Sequence, residues 1–149
     1  MDCYFKEKSL DEIKNETYYV VRYTNLVDAD KFVDDYEKIT KELENKGYKV
    51  KRIKNTFNDE NFSYKGLNTV VESPTGYKFE LQYHTPESLE INHKLYEKAR
   101  LDTTSLKEKE ILKEEMKQNA KKIKSIPNIN SIKNMNDLKA DINEKIKDN

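Results

Sequence analysis

Tryptophan is missing from this chain, and cysteine, histidine, glycine and proline are scarce. One cysteine, Cys3, rules out an intrachain disulfide framework and a cysteine-rich zinc site. It sits next to the N-terminus, a poor place for a nucleophile. Three glycines leave no glycine-rich phosphate loop, and no P-loop, G-x-G-x-x-G or G-x-S-x-G pattern occurs. Net charge is absent as well: 28 basic residues balance 28 acidic ones. There is therefore no global basic field for nonspecific nucleic-acid binding, and DNA is not expected as a partner. No apolar run approaches the ~20 residues that span a bilayer, and the start of the chain lacks the apolar core of a signal peptide. The expectation is a cytoplasmic protein that does not enter membranes.

What is present is unevenly spread. Glu16 to Leu101 holds most of the aromatic and β-branched residues, whereas the chain from Asp102 onward is largely Lys, Glu, Asn and Ile. The 149 residues suit one domain with a modest core. The division expected is a folded domain over 1–101 and a charged, helical, partly flexible extension over 102–149.

Ser9 to Lys14 can form a short helix with Ser9 as its cap. Thr17 to Thr24 is strongly β in composition. Asp28 or Asp30 can cap a helix whose apolar positions Phe32, Val33, Tyr36, Ile39 and Leu43 recur at helical spacing, and Gly47 should end it near Lys46. Tyr48 to Lys54 reads as a strand, with Tyr48, Val50 and Arg52 on one face. Leu67 to Glu72 reads as another. Ser73-Pro74-Thr75-Gly76 makes a turn, and Tyr77 to Thr85 returns antiparallel. Thr85 and Pro86 suit the start of a helix running to Leu101. A second helix should cover Ser105 to Ser125, with Ile111, Leu112, Met116, Ala120 and Ile123 as its apolar stripe. Asn134 to Asp148 is a weak helix or disordered. The sum is an α+β fold: a mixed β-sheet with a central antiparallel hairpin, flanked by helices.

The returning strand is the most informative segment. At period two, Tyr77, Phe79, Leu81 and Tyr83 face a core, while Glu80, Gln82 and His84 line the other side about 7 Å apart. A carboxylate, an amide and an imidazole in a row can hold a metal ion and polar ligand groups. The same pattern fits an antiparallel strand with a solvated outer face. Upstream, Tyr64, Lys65 and Gly66 offer a ring, a cation and close backbone approach to a planar, phosphate-bearing ligand, or simply form a turn. Arg22, Arg52 and Lys54 lie in or at the ends of strands, where cations can meet phosphate. The two histidines, His84 and His93, could join Glu80 in a three-ligand site of the catalytic zinc type, which would make a metal-dependent hydrolase.

The motifs VVRYT (Val20 to Thr24), KNTF (Lys54 to Phe57), YKGLNT (Tyr64 to Thr69), FELQYHTPES (Phe79 to Ser88) and HKLYEKAR (His93 to Arg100) occur in this order. Together, over about 17–101, they resemble the RelA/SpoT-type synthetase domain, related to nucleotidyltransferases, in the form found in polymorphic and phage-associated toxins. The resemblance implies transfer of pyrophosphate from ATP to a ribose hydroxyl of an acceptor nucleotide or tRNA, with Mg²⁺ as cofactor. By position, Glu80 would bind the metal and help activate the acceptor hydroxyl, with Gln82 and His84 beside it. Tyr64 would stack on the acceptor base, with Lys65, Asn68 and His93 nearby. Arg22, Arg52 and Lys54 would contact phosphates. A toxin of this kind implies a cognate antitoxin or immunity protein, and its place of action could be the cytoplasm of a target cell. One departure stands out: Tyr19 occupies the position where the family usually has a metal-binding Asp, and a phenol does not replace a carboxylate as a Mg²⁺ ligand. The alternative is a catalytically degenerate synthetase fold that binds a nucleotide, RNA or a partner protein.

Overall fold

A computed structural model of the chain describes residues 21–138. The expected helix over Ser9 to Lys14, Tyr19 and the beginning of the first strand lie outside the described residues, as does the tail beyond 138. Five strands and four α-helices occupy the described part. Strand β1 is Arg22–Leu26, and a single 3-10 turn at Ala29–Lys31 leads into helix α1, Phe32–Asn45. Asp28 adopts the extended cap conformation, but its side chain makes no capping bond; its carbonyl accepts from Lys31 N at 3.1 Å instead. The helix ends as the glycine predicts. Gly47 takes φ +87°, and the amides of Gly47 and Tyr48 close on the carbonyls of Glu44 and Leu43, each at 3.0 Å.

Strands β2 (Lys49–Asn55), β3 (Leu67–Glu72) and β4 (Lys78–His84) form an antiparallel meander. With β5 at Met135–Asn136, the sheet order is β1-β4-β3-β2-β5, so the β3–β4 hairpin is central, as expected. Strand β1 pairs parallel to β4, which brings the N-terminal motif against the strand that carries Glu80. Between Val50 and Arg52 the register slips by one residue: Val50 opposes Val71, whereas Arg52 opposes Val70. This bulge overturns the expectation that Val50 and Arg52 share a face. One extra residue inverts the alternation, so Val50 packs on the core while Arg52 turns to the opposite side.

The long helix expected over Pro86 to Leu101 is two helices, α2 (Pro86–Glu90) and α3 (His93–Ala99). Asn92 breaks it in a left-handed conformation, φ 65°. Its side chain repays the interruption: Nδ2 donates to the Met116 carbonyl at 2.9 Å, and Oδ1 accepts from Asn119 at 3.0 Å. Both partners lie on α4, Leu106–Lys121, whose Ser105 cap accepts from Glu108 N at 3.2 Å. Leu112, Met116 and Ala120 form its buried stripe, but Ile111, one position off that stripe, is exposed.

The core lies on one face of the sheet. Leu67, Val71, Leu81 and Tyr83 meet Val27, Phe32, Val33 and Tyr36 from the α1 side. Tyr77, expected to join them, precedes β4 and is exposed. Ile126, Ile129 and Ile132 complete this core, and Met135–Asn136 adds strand β5 to the edge of β2. Ile126, Ile129, Ile132 and β5 thus belong to the same core and sheet as the strands that precede residue 101. No helix among the described residues is long and apolar enough to cross a membrane.

Candidate functional site

Residues paired across a sheet point to the same side, so the register converts scattered sequence positions into rows. One row runs Arg22–Glu80–Val70–Arg52 across four strands, and the next runs Thr24–Gln82–Asn68–Lys54. Both lie on the face opposite the core. In the first row Val70 is fully buried, and the two arginines converge on one carboxylate above it. Arg22 Nε donates to Glu80 Oε2 at 2.6 Å, and Arg52 Nη2 lies 3.9 Å from Glu80 Oε1. Glu80 is 16% exposed and Arg22 59%, so a sheltered acid is held by one solvent-facing cation and one partly sheltered one. Arg52 Nε is buried without an acceptor among the described residues. Arg52 reaches this row only because of the bulge in β2.

At the end of β4 a hydrogen-bonded chain fixes Tyr64. His84 is almost fully buried; its Nε2 lies 2.8 Å from Tyr64 Oη and its Nδ1 2.9 Å from Ser88 Oγ. Tyr64 Oη donates to Asn68 Oδ1 at 2.9 Å. With that proton committed, His84 Nε2 is the donor to Tyr64, and Nδ1 faces the Ser88 hydroxyl, which also reaches the Thr85 carbonyl as a donor at 3.1 Å. Burial pushes the His84 pKa down to about 4, against a hydrogen bond to the Lys65 backbone that pulls it up. The ring is therefore neutral at pH 7. Burial also pushes Tyr64 up to about 12, outweighing its bond to Asn68 and the pull of Arg22, so the phenol keeps its proton and serves as a ring and a hydrogen-bonding group. Gly66 makes the contact possible. A Cβ there would sit 2.7 Å from His84 Cε1 and 2.8 Å from Tyr64 Oη.

Not every expected residue gathers here. Lys65 turns away from Tyr64 and is buried, its Nζ donating to the Asp59 carbonyl at 2.6 Å. His93 opens α3 on the surface and pairs with Glu97 at 3.0 Å. The three-ligand zinc arrangement of Glu80, His84 and His93 does not form: both ring nitrogens of His84 are engaged by Tyr64 and Ser88, and His93 belongs to a separate helix beyond the Asn92 break. Among the described residues no group of three His, Cys, Asp or Glu side chains could hold a metal ion. Lys54 borders the site with its Nζ 4.7 Å from the centre of the Phe62 ring. Ser88, which no motif argument singled out as a site residue, positions His84. Its signal was the Thr85-x-x-Ser88 cap, in which Ser88 N donates to Thr85 Oγ1 at 3.0 Å and Ser88 Oγ accepts from Thr85 N at 2.9 Å.

Glu80 is the one carboxylate in these two rows. Mg²⁺ is commonly held by one or two carboxylates, with water and phosphate oxygens completing its octahedron. Glu80 meets that minimum provided Arg22 releases Oε2.

No family model matches the sequence, and no curated protein does. Two solved structures are similar to it in part. One is the crystal structure of the complex between the Type VI effector Tas1 and its immunity protein: 22% identity and a TM-score of 0.46, over 71% of this chain and 66% of that chain. The other is a GTP pyrophosphokinase family protein from Streptococcus pneumoniae: 17% identity and a TM-score of 0.44, over 76% of this chain and 66% of that chain.

Proposed function

We propose that this chain transfers pyrophosphate from ATP to a ribose hydroxyl of an acceptor nucleotide or tRNA, as a toxin of the RelA/SpoT type. The observation that carries the reading is the row in which Arg22 and Arg52 flank Glu80, with Tyr64 fixed at the end of the same strand. In such a transfer the acceptor oxygen bonds to the β-phosphorus of ATP, the bond from that phosphorus to the α–β bridging oxygen breaks, and AMP leaves. The hydroxyl proton must go to a base. Glu80 offers a carboxylate beside two guanidinium groups, which suits it to take that proton while the arginines meet phosphate charge. Phosphoryl-type transfer depends on positioning and charge neutralisation rather than on a covalent nucleophile, and none is needed here. Bound Mg²⁺ would neutralise phosphate charge, with Glu80 as its protein ligand. Tyr64, locked by His84 and Asn68, offers a ring for the acceptor base. A toxin of this type implies a neutralising partner protein.

The test is incubation with ATP, Mg²⁺ and a panel of acceptors: AMP, ADP, GDP and tRNA. Transfer to one of them, lost in Glu80→Gln with the fold intact, is the expected result. No transfer to any acceptor by the unmodified chain overturns the enzymatic reading. Tyr19 favours a second reading, a degenerate fold that binds nucleotide without turnover. Calorimetric binding without transfer, together with activity gained in Tyr19→Asp, would select it.

A further inference from the structure

A cleft of about 310 Å³ lies between the 56–65 loop and the C-terminal end of α4, and none of Arg22, Arg52, Tyr64 or Glu80 lines it. Its walls include Phe57, Phe62 and Ile126, and its cations include Lys65, Lys117 and Lys121. Glu60 is the one acidic residue of the lining. A further lining lysine, Lys124, is tied to Asp30 at 3.2 Å. Three lysines therefore face one carboxylate.

Lys65 sets this cleft apart from an ordinary lysine-rich surface. It is 7% exposed, and its ammonium, which carries three N–H donors, has a single acceptor among the described residues, the Asp59 carbonyl. Burial pulls its pKa down, while Asp59 and Glu60 pull it up. A buried ammonium with spare donors is stabilised by any anion that reaches it. Lys117 and Lys121 stand four residues apart on α4, so they share a helix face, and like charges at that spacing repel. An anion between them and Lys65 relieves that repulsion. Aromatic and aliphatic side chains line the cleft beside these cations. The volume admits a pyrophosphate or a nucleotide-sized ligand.

We infer that this cleft is an anion site that takes a phosphate group, with Lys65 as its buried donor and Lys117 and Lys121 as its outer cations. The phosphate is either free or carried on a nucleotide. The site is separate from the Glu80 row, so it stands whether or not the chain catalyses pyrophosphate transfer.

Titration of the full chain with pyrophosphate, and separately with ADP, reads the affinity by calorimetry and the place of binding by amide chemical shifts. Binding with shifts at Lys65, Ile123 and Ser125 is expected, weakened at least tenfold in the Lys117→Gln, Lys121→Gln double variant. Those two side chains lie outside the buried stripe of α4, so circular dichroism should show the helix unchanged. Lys65→Met should weaken binding further. Equal affinity for both probes identifies a free-anion site, and tighter ADP binding with shifts reaching Phe62 identifies a nucleotide-borne phosphate; either supports the assignment. Unchanged affinity in the double variant, shifts confined to Arg22, Glu80 and Gln82, or no binding at millimolar concentrations would overturn it.

Discussion

The two faces of the sheet are made by the same strands and obey different rules. On the α1 side, Leu81 and Tyr83 alternate into a packed apolar layer, with Tyr83 edge-on to Tyr36 at a ring separation of 5.1 Å. On the other side the intervening residues Glu80, Gln82 and His84 assemble polar groups, one of them a sheltered carboxylate and one a neutral, buried histidine. Packing on the first face tolerates any well-fitting apolar set. The second face depends on particular partners: a hydrogen bond from Arg22 and the nearby charge of Arg52 for Glu80, and hydrogen bonds with Tyr64 and Ser88 for His84. The first face should govern whether the chain folds, and the second what the folded chain can do.

The largest effect should come from breaking the apolar face. Tyr83 is almost fully buried, so Tyr83→Ala removes a large ring and leaves a cavity, at a cost of about 3–5 kcal/mol. That is a substantial part of the stability of a small domain. Urea unfolding checks it; a loss below about 1 kcal/mol would mean that the core does not rest on this face.

The next effect comes from pH and belongs to the polar face. In the unfolded chain a histidine titrates near its ordinary 6.5, whereas burial holds folded His84 down to about 4. Between those values the unfolded state binds the extra proton. Stability is therefore complete above about pH 6.5 and falls as the pH drops toward 4, by up to about 3 kcal/mol. A pH series of thermal melts should show this slope, and His84→Gln should flatten it. An equal slope in the variant would assign the acid sensitivity to other groups.

The two faces also differed in how far they could be read from the sequence. Alternation over 77–85 gave the faces of β4, and the Gly47 and Thr85-Pro86 signals gave a helix end and a helix start, because those features depend on residues close in the chain. The bulge in β2 could not be read locally. Nothing in Lys49 to Asn55 marks it, since a bulge is defined against the partner strand, and it is what delivers Arg52 to Glu80. The parallel pairing of Arg22 with Glu80 likewise joins residues 58 apart. The alternation placed His84 with the polar row but could not show it buried, because Tyr64 and Gly66 come from another part of the chain. The break at Asn92 was hidden for a similar reason: its compensating bonds come from Met116 and Asn119.

A smaller effect should follow from Gly66→Ala. The added Cβ falls against both His84 and Tyr64, so the pair must separate or the backbone shift, at about 1–3 kcal/mol. If Tyr64 is the acceptor platform, acceptor binding should weaken by more than the loss of stability explains. Equilibrium binding of the active acceptor at a temperature well below the melt separates the two quantities. A variant that loses stability but binds normally would reduce Tyr64 to a packing residue.

The smallest stability change should come from Glu80→Gln, and it gives the sharpest comparison of the two faces. The substitution keeps the shape and removes the charge. Its main partner, Arg22, is largely solvent-exposed, so screening limits what the ion pair contributes, and unfolding should shift by no more than about 1 kcal/mol. The side chain still offers an oxygen to Arg22, which limits the cost of leaving a donor unpaired. A proton-accepting and metal-binding role, in contrast, requires the carboxylate itself, and transfer should vanish. Tyr83→Ala and Glu80→Gln would then lie at opposite corners of a plot of stability against activity. If Glu80→Gln instead destabilises the chain as strongly as Tyr83→Ala, the arginines and Glu80 form a structural clamp, and the polar face is part of the folding core rather than a site built on it.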